Sequence, residues 1–299
     1  FKISMNSNAG NNFIFFGSPK FAEIILNNLI KSGFKPHLIV CSPDRPLGRK
    51  QIITPPPVKI LAEKNSIKIY QPEKLDIKNW QSEISENFDF AIVAAYSKII
   101  PKEILKLFPL GIIGVHPSLL PKYRGAAPIQ SAILSGEEES GVSLYLMDEK
   151  MDHGSVFLKE QISIKEKTYT EAEEALAILG GEMLVNFLPD FISGKISPLP
   201  QNHAAATFTK KIKTEDGFIE LSLLKKALAG DPILSKTIYQ KILALNPNPG
   251  IYTINSAGKR IKLLSAALSP SPDKKLILKQ IQPESKTPTS YLPSSNLFS

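Results

Sequence analysis

The segment from Gly111 to Glu137 reads GIIGVHPSLLPKYRGAAPIQSAILSGE, and it carries the clearest structural pattern in the chain. Its apolar run, Ile112 to Val115, predicts a buried strand that ends at His116. A loop rich in proline and glycine follows, and the pattern after that loop predicts a helix over Ala127 to Leu134. Open α/β sheets place functional groups beyond the carboxyl ends of their strands. The segment therefore predicts an α/β sheet with His116 in a site at that edge.

A second segment supplies acidic partners for this histidine. It reads GVSLYLMDEKMDHG from Gly141 to Gly154, and its apolar part predicts a strand over Val142 to Met147. Two carboxylates follow, Asp148 and Asp152. A carboxylate beside a histidine orients the ring and relays protons, whereas a lone histidine is as often a satisfied core residue. We therefore expect one of these carboxylates close to His116, with both at the carboxyl ends of adjacent strands.

Length and composition limit the possible classes of protein. A chain of 299 residues is long for one domain, so two are expected. The single cysteine, Cys41, excludes an internal disulfide and a Cys-rich metal site, and it is predicted as a buried, inert thiol. Four scattered histidines do not indicate a metal centre.

The same composition predicts where the protein works. No apolar run approaches the roughly 18 residues of a membrane helix, and no signal-peptide pattern is present. We expect a cytoplasmic, monomeric protein without a membrane partner. Residues 1–11 are polar and small and are expected to be disordered, with Met5 as the expected initiator.

The charge is concentrated at one end of the chain. The net charge is +8, and residues 207–299 alone contain 14 Lys and Arg against six Asp and Glu, whereas residues 1–206 are neutral. A basic module beside a neutral one indicates a polyanionic partner, nucleic acid first, although lysines that only keep the protein soluble give the same count. Lys210, Lys211 and Lys213 at the start of the basic region are candidate phosphate contacts.

The remaining pattern predicts the architecture. An apolar strand from Phe13, a glycine turn, an amphipathic helix and a second strand form a βαβ unit without a dinucleotide-binding glycine motif. The run FAIVAA from Phe90 predicts a buried parallel strand. Residues 42–57 read SPDRPLGRKQIITPPP, an irregular, exposed loop. The region after 207 has short strands, Gly/Pro turns and one helix, which suggests a small barrel of the OB type.

HPSLLPKYRG and the later LMDEKMDHG resemble the signature of the folate-dependent formyltransferases. The resemblance implies a Rossmann-like catalytic domain, formyl transfer from 10-formyltetrahydrofolate without a metal, and catalytic roles for His116 and Asp152. Asp152 is preferred to Asp148 because it stands just before the x-Gly of the family turn. The folate-binding residues that it implies are Ser118, Leu119, Leu120, Pro121 and Tyr96. Gly114 departs from the family pattern, which has a catalytic Asn there, and Ser97 replaces a glycine.

Other stretches narrow the resemblance to the methionyl-tRNA formyltransferases. They are PDRPLGR in the exposed loop, ATFTKKIKTEDGFIEL, ALNPNPGIYT and QPESKTPTS. Leu221 departs from this pattern, where Trp is usual. The resemblance implies initiator methionyl-tRNA as the acceptor and a catalytic domain over 1–194, a linker over 195–206 and a basic, OB-like tRNA-binding domain over 207–299. The predicted tRNA-binding residues are Arg45, Arg49, Lys50, Lys210 and Lys211.

Alternatives remain at this point. Loss of one oxyanion donor typically lowers the rate roughly 100- to 1000-fold, so Gly114 allows an active enzyme with a substitute donor, a slow enzyme or an inactive homologue. A water or a backbone N–H beside Gly114 is one possible substitute. The otherwise intact motifs favour an active enzyme. A sugar-nucleotide N-formyltransferase, a glycinamide transformylase and an inactive tRNA- or folate-binding protein are the competing functions.

Overall fold

The computed structural model describes residues 12–48, 50–270, 274–292 and 296–298. The described residues divide into two compact units, each built from separate stretches of the chain. The first unit comprises the described residues up to Arg124, together with Gly141–Ile162 and Glu173–Phe208. The second comprises Gly125–Ser140, Ser163–Ala172 and the described residues from Thr209 onward. The boundaries at 194 and 206 remain a prediction, and the expected disorder of residues 1–11 lies outside the described residues.

The secondary structure alternates strands and helices up to the middle of the chain and then becomes mostly antiparallel. The strands are β1 (Phe13–Gly17), β2 (Leu38–Val40), β3 (Arg45–Leu47), β4 (Ile52–Thr54), β5 (Lys68–Tyr70), β6 (Phe90–Ala94), β7 (Ile112–His116), β8 (Arg124–Gly125), β9 (Glu139–Leu146), β10 (Val156–Ser163), β11 (Phe208–Thr209), β12 (Ile251–Ile254), β13 (Arg260–Leu268), β14 (Leu276–Pro283) and β15 (Thr289–Ser290). The helices are α1 (Lys20–Lys31), α2 (Pro57–Lys64), α3 (Ile77–Glu83), α4 (Lys102–Leu105), α5 (Pro128–Leu134), α6 (Tyr169–Ile192), α7 (Leu221–Ala229) and α8 (Pro232–Leu245).

A seven-stranded sheet in the order β10-β9-β7-β6-β1-β2-β5 forms the centre of the first unit. The strands β5, β2, β1, β6 and β7 are parallel, whereas β9 runs antiparallel to β7. Every residue of β1 is buried, as is typical of strands covered on both faces. The predicted α/β class with a mostly parallel, Rossmann-like sheet is therefore confirmed. The parallel arrangement brings the ends of β6 and β7, and hence Tyr96 and His116, to one edge.

Gly17 allows α1 to pack closely against the ends of β1 and β6. A Cβ atom at this position would lie 2.6 Å from Ala22 Cβ on α1 and 2.8 Å from the Ala94 carbonyl oxygen on β6. Glycine therefore permits the close approach of α1 to the end of the strand. The helix then buries one apolar face at helical spacing, which includes Ile25 and Leu29.

Cys41 follows β2 and is fully buried. Burial raises the pKa of its thiol to about 12. A thiol of that pKa carries almost no thiolate at neutral pH, so the side chain behaves as a small apolar residue. The prediction of a buried, inert cysteine is confirmed.

The second unit contains the antiparallel sheet β12-β13-β14-β15 with the helices α5, α7 and α8. The sequence predicts one helix after residue 207, and this is wrong because Gly230 divides the helical stretch in two. Gly230 ends α7 with φ +113°, and the side chain of Asp231 accepts hydrogen bonds from the first amides of α8. The antiparallel strands agree with the predicted small OB-like barrel.

Two local predictions are corrected. The sequence pattern after the strand from Phe90 also predicts a helix from Lys98 to Leu107, but the structure has only α4 there. Pro101 restrains the residue before it from helical geometry and is the N-cap of α4. The loop predicted to be irregular contains the hairpin of β3 and β4, which pair antiparallel. The apolar side chains Leu47, Ile52 and Ile53 of this hairpin are exposed.

One helix also exceeds the expected apolar length. By length and composition α6 could cross a membrane, so the expectation that no segment approaches that length is wrong. Half of its most apolar window is buried inside the protein, and the core helices of soluble proteins pass the same test. Glu171, Glu173 and Glu174 in its first turns are charged, as a water-facing stretch requires.

Candidate active site

His116 ends β7 and is almost completely buried, with 6% of its surface exposed. Its Nε2 atom lies 2.9 Å from the carbonyl oxygen of Tyr123, which has a left-handed backbone with φ +57°. A carbonyl oxygen only accepts hydrogen bonds, so the neutral imidazole carries its proton on Nε2. The lone pair of the neutral ring is then on Nδ1, the nitrogen that faces Asp152.

Asp152 is the carboxylate beside this nitrogen. Its Oδ1 atom lies 3.6 Å from His116 Nδ1, and both side chains are nearly buried. The predicted proximity of the two residues is confirmed. The prediction that both residues stand at the carboxyl ends of adjacent strands is wrong, because β9 runs antiparallel to β7 and ends at the opposite edge of the sheet. The turn after β9 brings the chain back, and Asp152 occupies it with φ +50°, a conformation that Asp tolerates better than most residues.

Asp148, the competing carboxylate, contacts a different histidine. Its Oδ2 atom lies 2.6 Å from His153 Nδ1, and its Oδ1 atom accepts a hydrogen bond from the backbone N–H of Lys150. The ring of His153 stacks on His203 with a centroid separation of 4.1 Å. Of the two carboxylates, Asp152 is therefore the one that lies beside His116.

Two residues that the sequence analysis leaves without a role hold the Asp152 turn in place. Gln201 donates through Nε2 to the carbonyl oxygens of Asp152, at 3.0 Å, and Gly154, at 2.7 Å. Its Oε1 atom accepts from the buried guanidinium of Arg124 at 2.6 Å. Arg124 also donates to Nδ1 of His203 at 2.9 Å. Partial desolvation, and then the nearby His153 and Arg124, lower the pKa of His203, which keeps this nitrogen unprotonated as an acceptor.

The segment that contains Gln201 belongs to the first unit and pairs with it through backbone hydrogen bonds. Leu199 exchanges two backbone hydrogen bonds of 2.8 Å with Val156. The amide of Gln201 is buried at the Asp152 turn. Residues predicted as a linker thus help to shape the site.

The space beside Gly114 is filled by an aromatic ring. Gly114 pairs with Tyr145 across β7 and β9, and a Cβ atom at position 114 would lie 2.2 Å from Cε1 of that ring. The sequence leaves this space open for a water or a backbone N–H, and the structure shows that it is occupied. The hydroxyl of Tyr145 donates to Asp152 Oδ1 at 2.8 Å.

The predicted folate-binding loop after His116 is held by hydrogen bonds within the loop and to neighbouring segments. Ser118 is fully buried and donates through Oγ to the carbonyl oxygen of Lys122 at 2.6 Å. Ser143 Oγ donates to the Ser118 carbonyl oxygen and accepts from the Leu120 amide. Leu119 packs against Gly141, and the Pro121 carbonyl oxygen accepts from the Thr207 amide. Ser118 therefore acts within the loop, and the predicted contacts of these four residues with folate remain a prediction.

Tyr96, the fifth predicted folate residue, lies just beyond β6 and stacks edge-on against Phe16. Burial raises the pKa of its hydroxyl. That hydroxyl is buried and has no hydrogen-bond partner among the described residues. A buried donor without a partner is costly, so a ligand that supplied an acceptor there would be stabilised.

The predicted tRNA-binding residues are divided between the two units. In the first unit, Arg45 forms an exposed ion pair with Glu73, and Lys50 is exposed beside the hairpin. Arg49 lies outside the described residues. In the second unit, Lys211 lines an open cavity of about 590 Å³, and Lys210 is the residue before it.

No group of three or more His, Cys, Asp or Glu suited to a metal ion occurs within the described part of the chain. The arrangement at the edge of the sheet is that of an acid–base pair with a braced loop beside it. A buried histidine whose Nδ1 faces a carboxylate is suited to take a proton from one group and return it to another.

Residues 11–188 match the family model described as formyl transferase, so the chain belongs to the formyl transferase family and is a formyltransferase. The methionyl-tRNA formyltransferase of Staphylococcus epidermidis is 39% identical over 255 residues, which cover 85% of this chain and 78% of the relative. These findings confirm the resemblance noted in the sequence.

Solved structures show the same fold. The methionyl-tRNA formyltransferase from Clostridium thermocellum matches with a TM-score of 0.56 at 18% identity, over 91% of this chain and 98% of that one. The N-formyltransferase from Helicobacter canadensis, in complex with folinic acid and dTDP-3-aminofucose, matches with a TM-score of 0.63 at 16% identity, over 87% and 88%. At these identities the likeness concerns the fold alone.

Proposed function

We propose that the chain transfers the formyl group of 10-formyltetrahydrofolate to the free amino group of the methionyl moiety of initiator methionyl-tRNA. The observation that carries the chemistry is the buried pair of His116 and Asp152, with 3.6 Å between Nδ1 and Oδ1. The choice of acceptor is supported by the methionyl-tRNA formyltransferase relative and by the basic residues after 207.

In the proposed reaction the amine attacks the formyl carbon, a C–N bond forms to the methionyl nitrogen, and the bond from the formyl carbon to the folate nitrogen breaks. The attacking nitrogen loses one proton and the leaving nitrogen gains one, so protons balance. His116 Nδ1 is the nitrogen that accepts the proton, because Nε2 already donates to Tyr123. Asp152 stabilises the imidazolium that forms, and the imidazolium then returns the proton.

A direct assay distinguishes this function from formylation of an amino sugar. The protein is incubated with 10-formyltetrahydrofolate and either methionyl initiator tRNA or an amino-sugar nucleotide, and each acceptor is examined for the formyl group. We expect N-formylmethionyl-tRNA and no formylated sugar. Formylation of the sugar alone would replace the proposal with a sugar-nucleotide N-formyltransferase. Formylation of neither, with folate still bound, would indicate an inactive binding protein.

The second unit is proposed to contact tRNA phosphates, and the cavity lined by Lys211 and Lys213 is the proposed place. We expect that replacing Lys210, Lys211 and Lys213 with Gln weakens binding and lowers the slope of log affinity against log salt by up to about 3, because each lost phosphate contact removes roughly one released counterion. The measurement is a salt titration of tRNA binding.

A matched control removes the same charge elsewhere in this unit. Lys225, Lys226 and Lys236 are exposed on α7 and α8 and do not line the cavity. Their replacement with Gln is expected to leave most of the salt slope in place. Equal slopes for the two triple variants would show that the charge acts only through its total.

Deletion of residues 207–299 is a poor test of the same idea. The helix α5, which follows the loop after His116 in the chain, packs against α8 within the second unit. Ile129 and Ile133 on α5 are buried, and deletion of α8 would expose apolar surface there. Charge replacements at the surface avoid this damage. The cytoplasmic location and the monomeric state remain predictions.

A further inference from the structure

The ring of Tyr145 fills the space that a side chain at position 114 would need. Gly114 and Tyr145 are partners in the antiparallel pairing of β7 and β9, so their side chains project from the same face of the sheet. A Cβ atom at Gly114 would lie 2.2 Å from Cε1, 2.5 Å from Cζ and 2.8 Å from the hydroxyl oxygen of Tyr145. Position 114 therefore has no room for a side chain while this ring is present.

The ring places a hydrogen-bond donor at the reactive pair. The Tyr145 hydroxyl donates to Asp152 Oδ1 at 2.8 Å, and the same oxygen is the one that lies 3.6 Å from His116 Nδ1. Only 4% of Tyr145 is exposed. Burial, and then the nearby Asp152 carboxylate, raise the pKa of the hydroxyl well above its usual value, so it keeps its proton and remains a donor.

Packing alone does not require the hydroxyl. A Phe ring would fill the space over Gly114 equally well, and a buried hydroxyl is stabilising only where it finds a partner. Here the partner is the carboxylate that faces the histidine. A hydrogen bond from a neutral donor to a carboxylate is among the stronger ones in proteins, and it restricts where the oxygen lies.

We propose that Tyr145 is a positioning residue for formyl transfer and that Gly114 and Tyr145 form a matched pair, in which the hydroxyl of one residue supplies the site with the polar group that the other lacks. The hydroxyl holds Asp152 Oδ1 against His116 Nδ1. This inference rests on the formyl-transfer function proposed above.

The first test is Tyr145→Phe, which removes one oxygen and keeps the ring over Gly114. We expect kcat to fall between about 10- and 100-fold, as for other losses of alignment at a reacting pair. The KM for 10-formyltetrahydrofolate should change less than twofold, because the ring still fills its space. A kcat within twofold of the wild type would show that the hydroxyl only satisfies its own burial, and the positioning role would be rejected.

The second test is a cycle of Gly114→Asn, Tyr145→Leu and the double variant, followed by thermal unfolding and kcat. Gly114→Asn alone should be strongly destabilised, because its Cβ meets the ring. Tyr145→Leu alone should lose activity together with the donor. The double variant should melt at a higher temperature than Gly114→Asn and have a higher kcat than Tyr145→Leu, because the shorter side chain makes room for an amide donor.

Each outcome of the cycle either supports or rejects the matched pair of Gly114 and Tyr145. If Gly114→Asn does not fold and the double variant does, the coupling is shown most directly. Strictly additive effects on melting temperature and on kcat would overturn the matched pair. The melting temperatures do not depend on the acceptor, and kcat is measured on whichever acceptor the wild type formylates. A wild type that formylates only an amino sugar would thus reject the tRNA function and leave the pair standing.

Discussion

Replacing His116 with Gln is expected to lower kcat for formyl transfer by a factor between about 100 and 10,000, the range for loss of a general acid–base. The Gln amide reaches as far as the ring Nε2, which contacts the Tyr123 carbonyl oxygen at 2.9 Å, so it keeps a donor there and the loop after β7 should keep its shape. The variant lacks the second nitrogen, which takes the proton of the attacking amine in the proposed mechanism. The measurement is kcat from initial rates, together with the dissociation constant of folate, which should remain within about twofold.

His153→Gln is the matched control for this change, because it also replaces an imidazole that contacts a carboxylate. His153 follows Asp152 in the chain, and its Nδ1 atom lies 2.6 Å from Asp148 Oδ2. The Nδ1 atom of His153 contacts Asp148, whereas the Nδ1 atom of His116 faces Asp152 Oδ1. Loss of the His153 imidazole is therefore expected to change kcat by less than about fivefold. A larger loss of activity in His153→Gln than in His116→Gln would move the acid–base role to the pair of His153 and Asp148.

Local pattern was enough to predict the strand that ends at His116. The apolar run Ile112 to Val115 has the length and composition of a buried parallel strand, and the structure places it beside β6. Local pattern offered two carboxylates after the next strand, Asp148 and Asp152, and only the family resemblance selected Asp152. The direction of that strand was not predictable, since pairing direction is decided by contacts between distant segments and leaves no local signal.

The same reason explains the residues that sequence reasoning left without a role. Tyr145 acts on Asp152 only because antiparallel pairing sets it opposite Gly114. Gln201 meets Arg124 across 77 positions of sequence. A departure from the family pattern at Gly114 was the one signal available, and it indicated where to search without indicating which side chain fills the space.

Gly154→Ala is expected to destabilise the protein and to lower its activity together. A Cβ atom at this position would lie 1.8 Å from the backbone carbonyl oxygen of Leu146 and 3.0 Å from its carbonyl carbon. Backbone atoms cannot move aside as a flexible side chain can, so the turn itself must shift. Overpacking in a rigid site costs about 3 kcal/mol at the upper end of its common range, which corresponds to a fall in melting temperature of roughly 5 °C for a chain of this length.

The loss of activity follows because this turn carries Asp152. The carbonyl oxygens of Asp152 and Gly154 both accept hydrogen bonds from Gln201, so a displaced residue 154 loosens the carboxylate that faces His116. Gly33→Ala is the control: Gly33 has φ +89° and no atom within 4 Å of the added Cβ, so only backbone strain of about 1 kcal/mol is expected, with kcat unchanged. Thermal unfolding and initial rates are measured on both variants. If Gly154→Ala melted as Gly33→Ala does and kept full kcat, the turn would not be the rigid support that holds Asp152 in place.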